Sequence, residues 1–286
     1  MKFFLGGLGN WDADYKHIKQ IILEADKLGF DGALMPDHYM WGTMDGRINR
    51  PDRFVTFETW MTISYLLAKT EQIKLGTLVT PIPFRPPAMM AKMVATIDNL
   101  SNGRVIFGVG AGWAQEEFDG FSVWDSNKVR VDKTKEGLEL MLKLWTEDEV
   151  SFEGAYYTAK NAVVEPKPVQ KPYPPLLFGG VGNRMLNLAG RYGDIVFVPT
   201  WGGLEKAAEG RQRVLDSARK YNRADKIGFM SGTMMGPPVT EINSFMKAIE
   251  AAQENGDKYF LPSFGRDENT MNLLRQFSKE VMPSFM

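Results

Sequence analysis

The chain has 286 residues, a net charge of -1 and no cysteine. Its length suits one (β/α)8 barrel, for which ~250 residues is typical, and its charge sums to no field that would draw in DNA or an anionic membrane. The missing cysteine excludes disulfides, thiolate zinc sites and a cysteine nucleophile, while 44% hydrophobic and 24% charged residues exclude wholesale disorder.

The apolar opening, Met1 to Gly9, lacks a basic n-region and a small-residue cleavage site, so it reads as a first strand, Lys2–Leu8, and not as a leader. Ile18, Ile21, Ile22, Ala25 and Leu28 then share one helical face, with His17 on its polar side. A second strand, Asp31–Pro36, runs into Asp37, His38, Tyr39, Met40 and Trp41. The third, Ile73–Thr77, runs into Leu78, Val79, Thr80 and Pro81, then Arg85, Pro86 and Pro87; this is either a bulge that pushes backbone toward a ligand or a packing turn. The fourth, Arg104–Val109, ends in Gly108, Val109, Gly110, Ala111, Gly112 and Trp113, where alternate glycines let a flat ligand approach the backbone.

Leu138, Leu142 and Trp145 repeat the helical period more loosely before an acidic break at Glu147 to Glu149. From Val150 to Lys167 the rhythm changes: Phe152, Tyr156 and Tyr157 around Gly154 read as a β-hairpin, and a proline-rich stretch leads into the fifth strand, Pro175–Phe178. Gly179, Gly180, Val181, Gly182 and Asn183 follow and open a helix near Arg184, which is either an anion cradle of backbone N–H groups or a tight turn. The sixth strand, Ile195–Val198, ends near Thr200, Trp201, Gly202 and Gly203. The seventh, Ile227–Met234, precedes a stripe of Ile242, Phe245, Met246 and Ile249, and the eighth is Lys258–Pro262.

Short apolar strands alternating with amphipathic helices predict a parallel α/β sheet: a (β/α)8 TIM barrel as a single domain over 1–286, with a hairpin insertion after the fourth unit. No stretch reaches the ~20 uninterrupted apolar residues of a membrane span, so the expectation is a soluble, cytoplasmic protein. Barrels carry their chemistry on the loops after the strands. There, His38 beside Asp37 is either a proton carrier near neutral pH or a structural histidine beside a helix cap. Trp11, Tyr39, Trp41, Trp113, Trp201 and Phe264 are expected to line an apolar pocket. Two distant histidines without a cysteine leave no expected metal site.

These residues resemble the luciferase-like flavin and deazaflavin oxidoreductases, including the branch that uses coenzyme F420. The resemblance runs from Phe30-Asp31-Gly32 and Pro36-Asp37-His38 through Gly76 to Thr80, Arg85-Pro86-Pro87-Ala88, Asn102-Gly103-Arg104 and Gly108 to Trp113. It continues to Phe152-Glu153-Gly154 with Tyr156-Tyr157, Pro166-Lys167-Pro168, Phe178-Gly179-Gly180 and Ala189-Gly190-Arg191. It implies a tricyclic ring at the C-terminal mouth, with Asp37 and His38 beside it serving cofactor contacts and proton transfer. It implies a bulge at Thr77, Leu78 and Val79, often with a cis peptide not preceding proline. It also implies cofactor contacts at Ala111 and Gly112, and a backbone phosphate site at Gly179, Gly180, Val181 and Gly182 near Thr200.

Two departures stand out. The family's sugar-phosphate and alcohol dehydrogenases have a catalytic glutamate where this chain has Trp113, and a phosphate-holding lysine near the position of Gly203. The resemblance thus implies an F420-dependent oxidoreductase that moves a hydride to or from a small, largely apolar substrate. An FMN-dependent monooxygenase, a non-catalytic flavin-binding protein and, more remotely, a metal-dependent barrel hydrolase are the alternatives. By analogy the protein pairs as a homodimer, with a small-molecule substrate and neither nucleic acid nor membrane as partner.

Overall fold

The computed structural model describes residues 1–8, 14–40, 56–232, 242–264 and 269–285. Eight parallel strands close into a barrel: β1 Lys2–Leu5, β2 Gly32–Met35, β3 Lys74–Thr77, β5 Val105–Gly110, β8 Leu176–Gly179, β9 Ile195–Phe197, β10 Gly228–Gly232 and β11 Tyr259–Leu261. β1 pairs with both β2 and β11, and β3 pairs with β5, which leaves no open edge. Six strands are shorter than their predicted runs, while β5 and β8 keep the predicted length shifted by one residue; residues that overran at the C-terminal ends, such as Pro36, become the loops of the mouth. The predicted end of the seventh strand, 233–234, lies outside the described residues.

The strands are buried on both faces, yet their side chains still alternate. In β8, Leu176 and Phe178 face the helices while Leu177 faces the barrel interior; in β9, Ile195 and Phe197 face inward and Val196 outward. Phe4, Leu34, Leu78, Ile106, Leu177 and Met230 fill the interior, so the barrel is a packed core and the site must lie at an end. At Gly108 a Cβ would stand 2.0 Å from the Thr77 carbonyl oxygen, so only glycine lets β3 and β5 meet there.

The helices follow the sequence periods. α1, Tyr15–Lys27, is capped by the Asp14 carboxylate, which accepts from Lys16 N at 2.8 Å, and it buries Ile18, Ile21, Ile22 and Ala25. α2 is Thr59–Leu67, α3 Pro87–Leu100, α4 Gln115–Phe121 and α5 Asn127–Thr146. On α5, Leu138 and Trp145 are buried, and the Trp145 indole donates to the Ala91 carbonyl of α3 at 2.9 Å. The later crossovers are α6 Asn183–Tyr192, α7 Leu204–Lys220, α8 Ile242–Glu254 and α9 Thr270–Gln276, followed by a last turn, α10 Met282–Phe285. Among the described residues no helix is long and apolar enough to cross a membrane.

The predicted hairpin forms as β6 Val150–Glu153 against β7 Thr158–Ala162. Glu136 of α5 pins its turn by accepting from Ala155 N, Tyr156 N and Tyr157 N. At the bottom of the barrel Asp26 does similar work, accepting from the N–H groups of Glu71, Gln72 and Ile73 at 2.7 to 2.9 Å. Burial opposes the Asp26 charge, but those donors prevail and hold its pKa below the usual carboxylate value.

Candidate active site

The site starts from a break in the wall. After β3 the chain turns out through a cis peptide between Leu78 and Val79, and Thr80–Pro81, as β4, then pairs with the upper half of β5. This is the bulge expected at that position, and it sets Leu78 and Val79 on a cavity of about 370 Å3 at the C-terminal mouth. The volume falls in the range of small-molecule sites.

Behind the bulge lies a buried hydrogen-bond chain. The Trp60 indole donates to Thr80 Oγ1 at 3.0 Å, and that hydroxyl donates its own proton to Asp37 Oδ2 at 2.8 Å. A single hydroxyl has one proton, so the Thr77 hydroxyl, 3.0 Å away, is the donor to Thr80. Arg85 closes the chain with a bidentate contact, Nη1 to Asp37 Oδ2 at 2.7 Å and Nη2 to Oδ1 at 2.9 Å, and reaches Glu58 Oε1 at 2.5 Å. Burial opposes the guanidinium charge, but Asp37 outweighs it and raises the Arg85 pKa above its ordinary value.

Asp37 is thus 2% exposed at the edge of the cavity, with its oxygens engaged by Arg85 and Thr80. The carboxylate that meets His38 comes from elsewhere. Glu117, on α4 and 2% exposed, places Oε2 2.6 Å from His38 Nδ1, while its Oε1 accepts from Tyr39 N at 2.7 Å and Met40 N at 2.9 Å. One buried carboxylate therefore fixes both the ring of His38 and the loop that carries it. Trp113 meets the same ring edge-on, with centroids 5.7 Å apart.

The other predicted residues sort by depth. Trp113 and Trp201 line the cavity at its exposed rim, as do Gly112, Gly179 and Gly180 in its wall. Ala111 is half-buried beside Gly112, and Val181, Gly182 and Thr200 are exposed just beyond the lining. Thr77 does not reach the cavity, because its side chain is fully buried in the chain behind the bulge. Tyr39 is also not a lining residue. Its ring packs between Phe84 and Phe121 at 4.9 and 4.8 Å with the Arg85 guanidinium over it, and burial first of all pushes its phenol up to about 12. Phe264 packs instead on Phe30, Phe245 and Phe277, away from the mouth. Trp11 and Trp41 lie outside the described residues.

The walls fit a flat, tailed cofactor. A Cβ at Gly180, whose φ is 139, would meet no protein atom within 4 Å, so it would project into open space that a ligand can fill. Beyond it α6 begins at Asn183 with no side-chain cap on its first turn, which leaves backbone N–H groups for an anionic tail. Glu117 and Arg85 escape a reading of sequence alone. The only signal for Glu117 is its position on the buried side of a short helix directly after the glycine run, and Arg85 reads as part of a proline-rich turn.

Comparison with known proteins agrees with this architecture. The profile of the luciferase-like monooxygenase family matches residues 3–240. The chain is 32% identical over 190 residues to an FMNH(2)-dependent dimethylsulfone monooxygenase of Pseudomonas putida, covering 66% of this chain and 49% of that protein. It is 34% identical over 222 residues to an F420-dependent glucose-6-phosphate dehydrogenase of Segniliparus rotundus, covering 76% of this chain and 61% of that protein. The chain thus spans about half to three-fifths of the length of these curated relatives. Among solved structures, an F420-dependent secondary alcohol dehydrogenase in complex with an F420-acetone adduct superposes with a TM-score of 0.79 at 22% identity, covering 100% of this chain and 99% of that one, a likeness of fold. The extent of the profile match and the closed barrel with its bulged third strand place the chain in one family: it belongs to the luciferase-like monooxygenases.

Proposed function

We propose that the protein is an oxidoreductase that passes a hydride between coenzyme F420 and a small, largely apolar organic substrate. The observation that carries this reading is the His38–Glu117 pair on the wall of an apolar cavity. When bound, the deazaflavin supplies the hydride chemistry; the chain supplies position and a proton. Glu117 takes the Nδ1 side of His38, so Nε2 is the ring atom that exchanges a proton with the substrate. Leu78 and Val79 would support one face of the ring, beside Gly112 and Gly179 of the cavity wall, and Gly180 would leave open space for it. Val181, Gly182 and the uncapped start of α6 would hold a phosphate-bearing tail, with the Thr200 hydroxyl near by. Asp37 acts through the loop, locked to Arg85 and Thr80 and so holding Pro36 and His38 in place. Trp113 and Trp201 bound the substrate space. The 1–286 chain is read as one domain, because a single closed barrel draws strands from Lys2 to Leu261. Exposed Met61 and Tyr65 of α2, with Met89 and Leu100 of α3, support a homodimer.

The competing reading, an FMN-dependent monooxygenase using the same cavity, draws support from the likeness to the Pseudomonas putida enzyme. Titrating the full chain with F420 and with FMN, each followed by its absorbance, separates the two. Saturable F420 binding with weak FMN binding is the expected result. Tight FMN binding with no response to F420 overturns the proposal.

A further inference from the structure

At the other end of the barrel, where the strands begin, lies a second cavity of about 460 Å3. Its floor is apolar and aromatic: Phe4, Ile106, Ile195 and Tyr259, the lower side chains of the barrel interior. Its walls are not. Lys2 and Lys74 open β1 and β3, Lys171 precedes β8, and Arg223 and Lys226 follow α7, so five cationic side chains face two carboxylates, Asp31 and Asp194.

Both carboxylates are already committed. Asp31 Oδ2 accepts from Phe3 N at 2.8 Å; Asp194 Oδ2 accepts from Leu176 N at 3.0 Å and its Oδ1 from Arg223 Nη2 at 3.0 Å. None of the four lysines forms an ion pair with a described residue. Lys74 is half-buried, and burial first, then the charge of Lys2, holds its pKa below the ordinary lysine value. The N-terminal face of a barrel usually serves stability, and a stabilising arrangement pairs its charges. This one leaves four lysines without an ion pair to a described residue around a hollow, an excess of positive charge that a bound anion would relieve.

We propose that this basin at the base of the barrel is a binding site for a small, multiply charged oxyanion, of the phosphate or polycarboxylate class, held by Lys2, Lys74, Lys171 and Arg223 over the Tyr259 floor. The packed interior separates it from the cavity at the C-terminal mouth, so its occupancy is independent of the cofactor proposal. Isothermal titration of the full chain with inorganic pyrophosphate and, separately, with citrate tests it, at an ionic strength fixed with sodium chloride.

One saturable site is expected for pyrophosphate, weakened roughly tenfold in K2Q/K74Q and changed by less than about twofold in the control K135Q/K143Q on α5, because only the first pair faces the basin. Citrate binding that is lost in the same variant assigns the site to oxyanions in general; a response to pyrophosphate alone assigns it to the phosphate class. No saturable heat at millimolar ligand, or equal losses in the two double variants, overturns the proposal. Should K2Q/K74Q melt far below the wild type, K171Q takes its place under the same criteria.

Discussion

Replacing Glu117 by Gln tests how the site holds its proton. The glutamine carbonyl can keep the two backbone donors, Tyr39 N at 2.7 Å and Met40 N at 2.9 Å, but then its amide NH2 stands where Oε2 now lies 2.6 Å from His38 Nδ1. Two donors cannot share that contact, so the imidazole proton must move to Nε2, the atom turned away from Glu117. The lost bond is charge-assisted and worth about 1.5–3 kcal/mol, which as transition-state stabilisation is roughly 10- to 150-fold in kcat. Cofactor affinity should change little, since Glu117 contacts the loop and not the glycine walls. The tautomer can be read without any substrate: the chain holds only two histidines, so the ring nitrogens of [15N]His-labelled protein resolve His38 from His17. In the wild type the proton should sit on Nδ1, and in E117Q on Nε2. An unchanged nitrogen pattern in E117Q would refute the positioning role, whatever its turnover.

Arg85→Met leaves the Asp37 carboxylate buried without its bidentate partner, and breaking one side of a buried pair costs about 3–5 kcal/mol. Urea unfolding should show that loss, and adding Asp37→Asn should restore part of it; a double variant less stable than R85M would contradict the pairing. Asp26 predicts a pH dependence. Its folded pKa is lowered, so its contribution is complete above the unfolded value of ~3.9 and is lost as pH falls through the folded value. Asp26→Asn should therefore be less stable than the wild type at neutral pH by roughly 1–3 kcal/mol, with the gap closing below about pH 4. A gap independent of pH would show that the backbone donors do not depend on the charge.

The barrel was legible because strands buried on both faces leave short apolar runs, and helices leave stripes such as Ile18, Ile21, Ile22 and Ala25. The site was legible only in its backbone parts. Glycines after β5 and β8 and the bulge at Leu78 and Val79 leave a local signature, because the chain itself makes the feature. Side-chain partnerships across distant loops do not. Asp37 stands next to His38 in sequence, yet the ring's carboxylate comes from residue 117, and Asp37 looks inward to Arg85. Tyr39 was misread for the same reason: an aromatic at the mouth can face the ligand or, as here, brace Phe84 and Phe121 from behind.

The divided edge of β5 shapes how this protein can diversify. Its lower half is taken by β3, through Leu75 with Val105 and Gly76 with Ile106, and its upper half by β4, through Thr80 with Val109 and Pro81 with Gly110. The stretch between them, Leu78 and Val79, is at once the joint of the closed wall and a surface turned to the cavity. A residue with both duties has little liberty to vary. A change in the shape of the cavity falls to side chains outside the joint, and Trp113 and Trp201, at the exposed rim, are the ones with room to change.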